Sequence, residues 1–573
     1  MATPIPACTT PSVKETRSSL LQNGETHAKV TKVFEQALGE SAPLIVYLQA
    51  LHLPTPASMA CAVSQWLIDL PESTQLIILK HQPVSRTDPA LAAALDDYHK
   101  KFGWPFVLAS AGPRGDGIGA PEFARTLERR FGRSVIAERQ ESIRQIARYI
   151  EVELTAALND DISMGDTIWD WHQALARHSD VLETQPNVLT VTYLTDAHLA
   201  CARELSQRML DCGCDEVSID AVGNVVGLYH GHSPQPKRLM TGSHYDTVRN
   251  GGKYDGRLGI FLPLACISNL HRQQRRLAHS IEVVAFAEEE GQRFKATFLG
   301  SAALTGHFND DWLAQTDADG ISMIDAMRHA GLDPEKIHTL KRDPAAYLGF
   351  VEVHIEQGPV LNKTGLALGV VTSINGGVRL LCKVKATASH AGTTPMDQRS
   401  DAAVAAAEVI LLTERAAKAV PESVATVGQL NVPNGSINVI PGACHFSLDV
   451  RAPNDADRDR VLDEILSGIK AVETSRAVQI EVQEIMRVAA APSDAKLQSV
   501  WEEAVAVLGL PVMCLPSGAG HDAMKLHTIM PQAMLFVRGE NGGISHNPRE
   551  STTSHDIELA YRATLYAFEK ICS

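Results

Sequence analysis

From residue 244 onward, histidines and carboxylates recur in an order that restricts how this chain can fold. They stand in Gly242-Ser-His244-Tyr-Asp246-Thr, Tyr254-Asp255-Gly256, Ala287-Glu288-Glu289-Glu290-Gly291, Val353-His354-Ile and Ile544-Ser-His546-Asn-Pro548. Several come directly after short apolar runs: Arg238–Thr241 leads to His244, and Ile281–Ala287 leads to the three glutamates. Open α/β sheets build their sites at the carboxyl ends of strands, so the series calls for a sheet that gathers these ends along one edge. With Glu289 set aside as a base, His244, Asp255, Glu290, His354 and His546 remain. Three imidazoles and two carboxylates suffice for two divalent metals if one carboxylate bridges them.

Taken singly, each residue has a plainer reading. Asp246 can accept from the second ring nitrogen of a ligand histidine, or it can be a turn residue. The glycines around Asp255 let the backbone fold tightly about a carboxylate, and an Asp-Gly pair is also an ordinary turn. Glu288-Glu289-Glu290 can be a solvated charge run. At the end of a buried strand, though, three adjacent carboxylates repel unless a metal or a proton intervenes. One acting as ligand and its neighbour as general base resolves that conflict. His354 and His546 alone read as packed or exposed side chains. It is the set, each member at a strand end or in a glycine-rich loop, that points to a metal centre, with manganese, zinc or cobalt admitted by the mixed donors.

A chain of 573 residues exceeds one ordinary core, so several domains are expected. Residues 1–25 are polar and rich in Thr and Ser, which reads as a flexible leader. Residues 26–160 read as all-α, with Val30, Val33, Phe34, Ala37 and Ile143, Ile146, Ile150 at helical spacing. From Asp166, helices such as Asp196–Cys212 alternate with β-rich runs, which indicates an α/β domain over 166–377 and 491–573. Between them, 378–490 runs strand, helix Asp401–Ala417, strands Ala425–Leu430 and Ala443–Arg451, helix Asp455–Glu473 and strand Val478–Gln483. That order predicts an inserted ferredoxin-like α+β domain. The net charge of −15 without a Lys/Arg block argues against nucleic-acid binding. No secretory signal and no run of about 18 apolar residues is evident, and the ten scattered cysteines suit a reducing compartment, so cytoplasm is expected.

The segments GSHYDTV, GGKYDGRLG, FAEEEGQRF, VHIEQGPVL, SHAGTTPM, NVIPG, SGAGHDA and GGISHNPRE succeed one another from about Asp166 to Ser573. In order and spacing they resemble the metal-dependent amidohydrolase branch of the M20 peptidase family. That branch holds allantoate and ureidoglycolate amidohydrolases, N-carbamoyl-L-amino-acid hydrolase and β-ureidopropionase. The resemblance implies an α/β di-metal catalytic domain and a small ureido carboxylate as substrate. It also implies a homodimer through the inserted lid/dimerisation domain. His244, Asp255, Glu290, His354 and His546 would be metal ligands, with Asp255 bridging, Glu289 the general base and Asp246 an orienter. His390 would stabilise the oxyanion across a dimer interface. Gln357, Asn438, Arg451 and, less distinctly, His521 match substrate-binding positions, Arg451 pairing the substrate carboxylate. Family habit favours manganese.

The segment Tyr98-His-Lys-Lys-Phe-Gly-Trp-Pro-Phe-Val, with Glu122-Phe-Ala-Arg-Thr-Leu-Glu-Arg-Arg-Phe after it, is similar to OHCU decarboxylase, an enzyme of purine breakdown. His81, in Leu79-Lys-His81-Gln-Pro83, resembles its catalytic histidine with one residue interposed. The family's Ser-x-x-Glu-Gln segment and late Arg have no counterpart, which implies a degenerate domain over an active decarboxylase. The association favours allantoate over N-carbamoyl amino acids or ureidoglycolate; a non-catalytic scaffold would require a missing ligand or base.

Overall fold

The computed structural model describes residues 188–573 without interruption. Ahead of them it describes residues 24–38, 66–80, 91–108, 135–158 and 163–181, with scattered residues between. His81 and residues 1–23 of the leader lie outside the described residues, and the last two leader positions, 24 and 25, begin the helix Gly24–Leu38. Before Glu216 the regular elements among the described residues are helices, including Gly24–Leu38, Glu72–Lys80, Ala92–Phe102 and Val135–Leu158. Their apolar stripes meet in one core through Val30, Phe34, Leu79, Tyr98, Phe102, Ile143 and Ile150. Within it Arg130 is buried against Glu138 at 2.5 Å. An ion pair from Arg148 to Asp166 ties the helix Val135–Leu158 to the helix Met164–Leu175.

The large sheet is built from β1 (Glu216–Ile219), β2 (Val225–Tyr229), β3 (Arg238–His244), β4 (Ser280–Phe286), β5 (Tyr347–Ile355) and β6 (Leu368–Ile374). The small sheets take β7 (Gly376–Lys385), β8 (Ser389–His390), β9 (Val424–Thr426), β10 (Leu430–Asn431), β11 (Val439–Ile440), β12 (Ala443–Ala452) and β13 (Gln479–Val488). The chain then returns to the large sheet with β14 (Ala491–Pro492), β15 (Cys514–Ser517) and β16 (Gln532–Val537). Its order is β1-β2-β4-β3-β5-β16-β6-β14, with β15 beside β6. The four central strands β4, β3, β5 and β16 run parallel, and antiparallel strands flank them. Every residue of β4 and β16 is buried, as expected of strands covered on both faces. The helix Leu258–Arg272, apolar on nearly all sides, is buried beside the parallel strands.

The inserted stretch forms an antiparallel sheet ordered β10-β12-β7-β13, with β9 also paired to β12. Helices Ala402–Lys418 and Asp455–Arg476 share one core with it through Val409, Ile465, Leu380 and Leu448. The strand expected over Ala425–Leu430 is two short strands. Between them the Ser447 hydroxyl takes the Gln429 N–H at 3.0 Å, so a side chain replaces a ladder bond. The strand expected to end at Gln483 runs on to Val488 through a bulge at Glu484/Met486. The hairpin-like pair β8–β11 was not expected from the sequence pattern.

Candidate active site

The carboxyl ends of the four parallel strands lie side by side, and the histidine–carboxylate series converges there. His244 is the last residue of β3, and Glu288 comes two positions after β4. His354 lies one residue before the end of β5, and the loop after β16 carries His546. Asp255 comes from the loop between β3 and the helix Leu258–Arg272. Two glycines permit these approaches. At Gly256, φ is +67° and a Cβ would lie 2.4 Å from the His244 carbonyl oxygen. At Gly543, φ is +74° and a Cβ would lie 1.6 Å from the Gly358 oxygen, so only glycine lets the His546 loop pack on that turn.

Asp255 sits at the centre. Its Oδ1 lies 3.7 Å from His244 Nε2 and 3.4 Å from His354 Nε2. Its Oδ2 lies 3.3 Å from His546 Nε2, which is also 3.3 Å from Glu290 Oε1. Among the described residues, four groups of donor atoms lie within 4.8 Å of one another; two share Asp255, His244–Asp255–His354 and Asp255–Glu290–His546, and the others are His244–Glu289–Glu290 and Glu352–His354–His521. The other ring nitrogen of each buried histidine is fixed: His354 Nδ1 lies 2.8 Å from the Ile355 oxygen, and His244 Nδ1 lies 3.3 Å from Asp246 Oδ1. Asp246 does more than orient His244. Its two carboxylate oxygens accept the N–H groups of Glu289 and Glu290, each at 3.1 Å, and so hold the glutamate turn.

The electrostatics exclude a solvated charge run, because Glu288 is 1% and Glu289 9% exposed. Burial, then the Glu290 charge, pushes the Glu289 carboxyl well above the usual range. Burial works against the Asp255 carboxylate, yet hydrogen bonds from His244 and His546 hold it well below that range. Burial also disfavours a charged His244, but bonds to Asp246 and Asp255 hold its pKa well above the ordinary imidazole value. His546 is raised to about 10 by Asp255 and then Glu290. Burial lowers His354, by contrast, to about 4, the neutral form that a metal ligand needs. The donor set of imidazoles and carboxylates fits divalent metals.

These groups line a cavity of about 270 Å³ together with Thr297, Phe298, Gln357, Arg451, Ala519 and Gly520. Gln357 donates to both Asp255 oxygens at 3.1 Å. Gln357, His546 and Phe298 all have φ between +52° and +57°, and non-glycine backbone strain of this kind concentrates at functional sites. Arg451 reaches the cavity with its fork engaged, donating to Asp449 at 2.9 Å and to the Gly518 oxygen at 2.8 Å. His521 lies beneath the site, buried, its ring 4.4 Å from that of His354 and its Nε2 2.9 Å from Ser517 Oγ. His390 and Asn438 do not line this cavity. They are exposed on the β8–β11 pair, where the Ala391 N–H donates to the Asn438 oxygen at 2.9 Å. The sequence pattern did not single out Glu550, buried between the Asp255 and His546 loops; its one signal is the acid that closes Gly542-Gly-Ile-Ser-His-Asn-Pro-Arg-Glu550.

Residues 240–570 match the peptidase family M20/M25/M40. The chain belongs to that family. Members generally depend on two metal ions. An N-carbamoyl-L-amino acid amidohydrolase of Geobacillus stearothermophilus is 39% identical over 340 residues, 59% of this chain and 83% of that protein. An allantoate deiminase of Arabidopsis thaliana is 36% identical over 439 residues, covering 70% and 83%. Among solved structures, a hydantoinase/carbamoylase family amidase from Burkholderia ambifaria superposes with a TM-score of 0.65 at 32% identity, covering 71% of this chain and 98% of that one. This M20 chain is accordingly an enzyme that hydrolyses amide-type carbon–nitrogen bonds. No helix among its described residues is long and apolar enough to cross a membrane.

Proposed function

We propose that this protein is a two-metal allantoate amidohydrolase that releases ureidoglycine, ammonia and carbon dioxide. The observation that carries the reading is the position of Asp255, shared by two donor groups with the Glu289 carboxyl beside them. His244, Asp255 and His354 would hold one ion, and Asp255, Glu290 and His546 the other, with manganese the favoured metal. Ions held there supply Lewis acidity and lower the pKa of a water towards 7.

The chain's own groups do the rest. Glu289 takes a proton from the attacking water and returns it to the departing nitrogen, as a carboxylate that burial holds at a raised pKa is suited to do. Asp246 keeps Glu289 and Glu290 in register through their N–H groups. Arg451 exchanges Asp449 and the Gly518 oxygen for the substrate carboxylate, a bidentate partner for its fork. Gln357 and His521 support the substrate side of the pocket. His390 reaches a ureido group from a second copy of the chain, and closure of the inserted domain brings Asn438 onto the substrate. In support of that homodimer, Ile437 beside Asn438 is fully exposed, a poor surface to leave in water. Residues 378–490 act as the lid and dimer surface of a catalytic domain spanning 166–377 and 491–573, and the enzyme works in the cytoplasm.

Residues 26–160 are read as a degenerate OHCU decarboxylase-like domain, whose purine-breakdown association favours allantoate. The Geobacillus relative supports a second reading, hydrolysis of N-carbamoyl-L-amino acids by the same residues. Purified protein restored with Mn²⁺ and offered allantoate or N-carbamoyl-L-methionine separates the two. The expected result is a kcat/KM for allantoate at least tenfold higher, and the reverse order would overturn the substrate assignment.

A further inference from the structure

Asp255 and His546 approach to 3.3 Å, yet both come from loops rather than strands. A single carboxylate joins those loops. Glu550 is 5% exposed. Its Oε1 accepts the N–H groups of Tyr254 and Asp255 at 2.9 and 3.0 Å. Its Oε2 accepts the hydroxyl of Ser545, next to His546, at 2.6 Å. The fit is close: a Cβ on Gly252 would lie 2.1 Å from Glu550 Oε1.

We propose that Glu550 is the positioning residue that sets the separation of Asp255 and His546, and through it the affinity of the ion these two ligands share. Glu550 does not belong to either donor group, so it acts through its neighbours. Two consecutive backbone N–H groups on one oxygen fix the Asp255 loop, and the Ser545 bond fixes the other loop. His546 needs such support, since its side chain is half exposed and its φ is +52°. Groups that orient metal ligands typically change metal affinity about 10- to 100-fold when removed. The inference rests on the ligand assignment above but not on the substrate.

The test is titration of metal-stripped, full-length protein with Mn²⁺ alone, monitored by calorimetry, with the melting temperature of each metal-free variant. Glu550→Gln keeps an oxygen for the two N–H groups and is expected to bind two ions within about threefold of wild type. Glu550→Asp is too short to span both loops, and Glu550→Ala removes the tie. Each is expected to weaken one of the two ions about 10- to 100-fold while the other is retained. Ser545→Ala cuts the arm to the His546 loop, together with a 3.3 Å bond from Gln357, and should weaken the same ion by a smaller factor; with Glu550→Asp it carries the test if Glu550→Ala does not fold. Wild-type affinity for both ions in Glu550→Asp and Ser545→Ala overturns the proposal, as does a lowered melting temperature with unchanged Mn²⁺ binding. Wild-type protein that takes up two ions but leaves allantoate intact overturns the substrate reading alone.

Discussion

Strand β4 carries buried carboxylates at both ends, and the two ends are compensated in opposite ways. Towards its amino end, Glu282 is fully buried and meets Arg238 at 2.5 Å, Arg342 at 3.2 Å and the Tyr347 hydroxyl at 3.1 Å from each oxygen. Just past its carboxyl end, neither oxygen of Glu288 meets a donor, and burial, then Asp246 beside it, pushes that carboxyl well above the usual range. Glu289 is raised in the same way. A buried acid surrounded by the protein's own cations is scaffold. Clustered acids whose neighbours are imidazoles form a donor set suited to a cation from outside.

The largest effect is expected from breaking the functional end. Glu289→Gln should lower hydrolysis about a thousandfold or more, within the range for a lost general base, while Mn²⁺ uptake stays at the wild-type level. Ammonia release and metal content read the two separately; loss of both together would make Glu289 a ligand instead. Next comes the contrast itself, read as unfolding free energies of metal-free protein in urea. Glu282→Gln should cost about 2–4 kcal/mol, because it strands two arginines and a tyrosine. Glu288→Gln, which removes an acid with no donor, should cost less than about 1 kcal/mol. Equal losses would erase the distinction drawn between the two ends.

A pH-dependent effect concerns a buried titratable group in neither cluster. His172 is fully buried against Tyr254 and Phe261, its Nδ1 donating to the Lys253 oxygen at 2.9 Å and its Nε2 unpartnered. Burial pulls its pKa down to about 3. The folded state therefore excludes a proton that the unfolded chain binds below about 6.5. Its contribution is present above pH 6.5 and is lost as pH falls towards 3. Between pH 6.5 and 5 the loss is about 2 kcal/mol, and His172→Phe should remove that part of the acid sensitivity of metal-free protein. An unchanged pH dependence of the urea midpoint would show that His172 does not contribute.

The metal-type residues were legible because each stands at or just past a strand's carboxyl end or in a glycine-rich loop, and a parallel sheet brings strand ends together. What backbone donors accomplish was not legible. Asp246 reads as an orienter of His244, and its hold on the Glu289 and Glu290 N–H groups leaves no mark in a sequence. Glu550 escaped notice for the same reason, since two of its three partners are N–H groups. In the fold, β16 was not singled out, although β4, buried on both faces in the same way, was read from its apolar run. The exposed place of His390 has a different cause: its expected role depends on a second chain, which no single-chain pattern encodes.

The central claim is that two ions, joined through Asp255, make this site a hydrolase. The most direct test tracks ammonia release from allantoate as metal-stripped protein is given Mn²⁺ one equivalent at a time. Activity is predicted to be absent at the start and to rise to a plateau at two equivalents per chain. Full activity without added metal, or a plateau at one equivalent, would contradict the account.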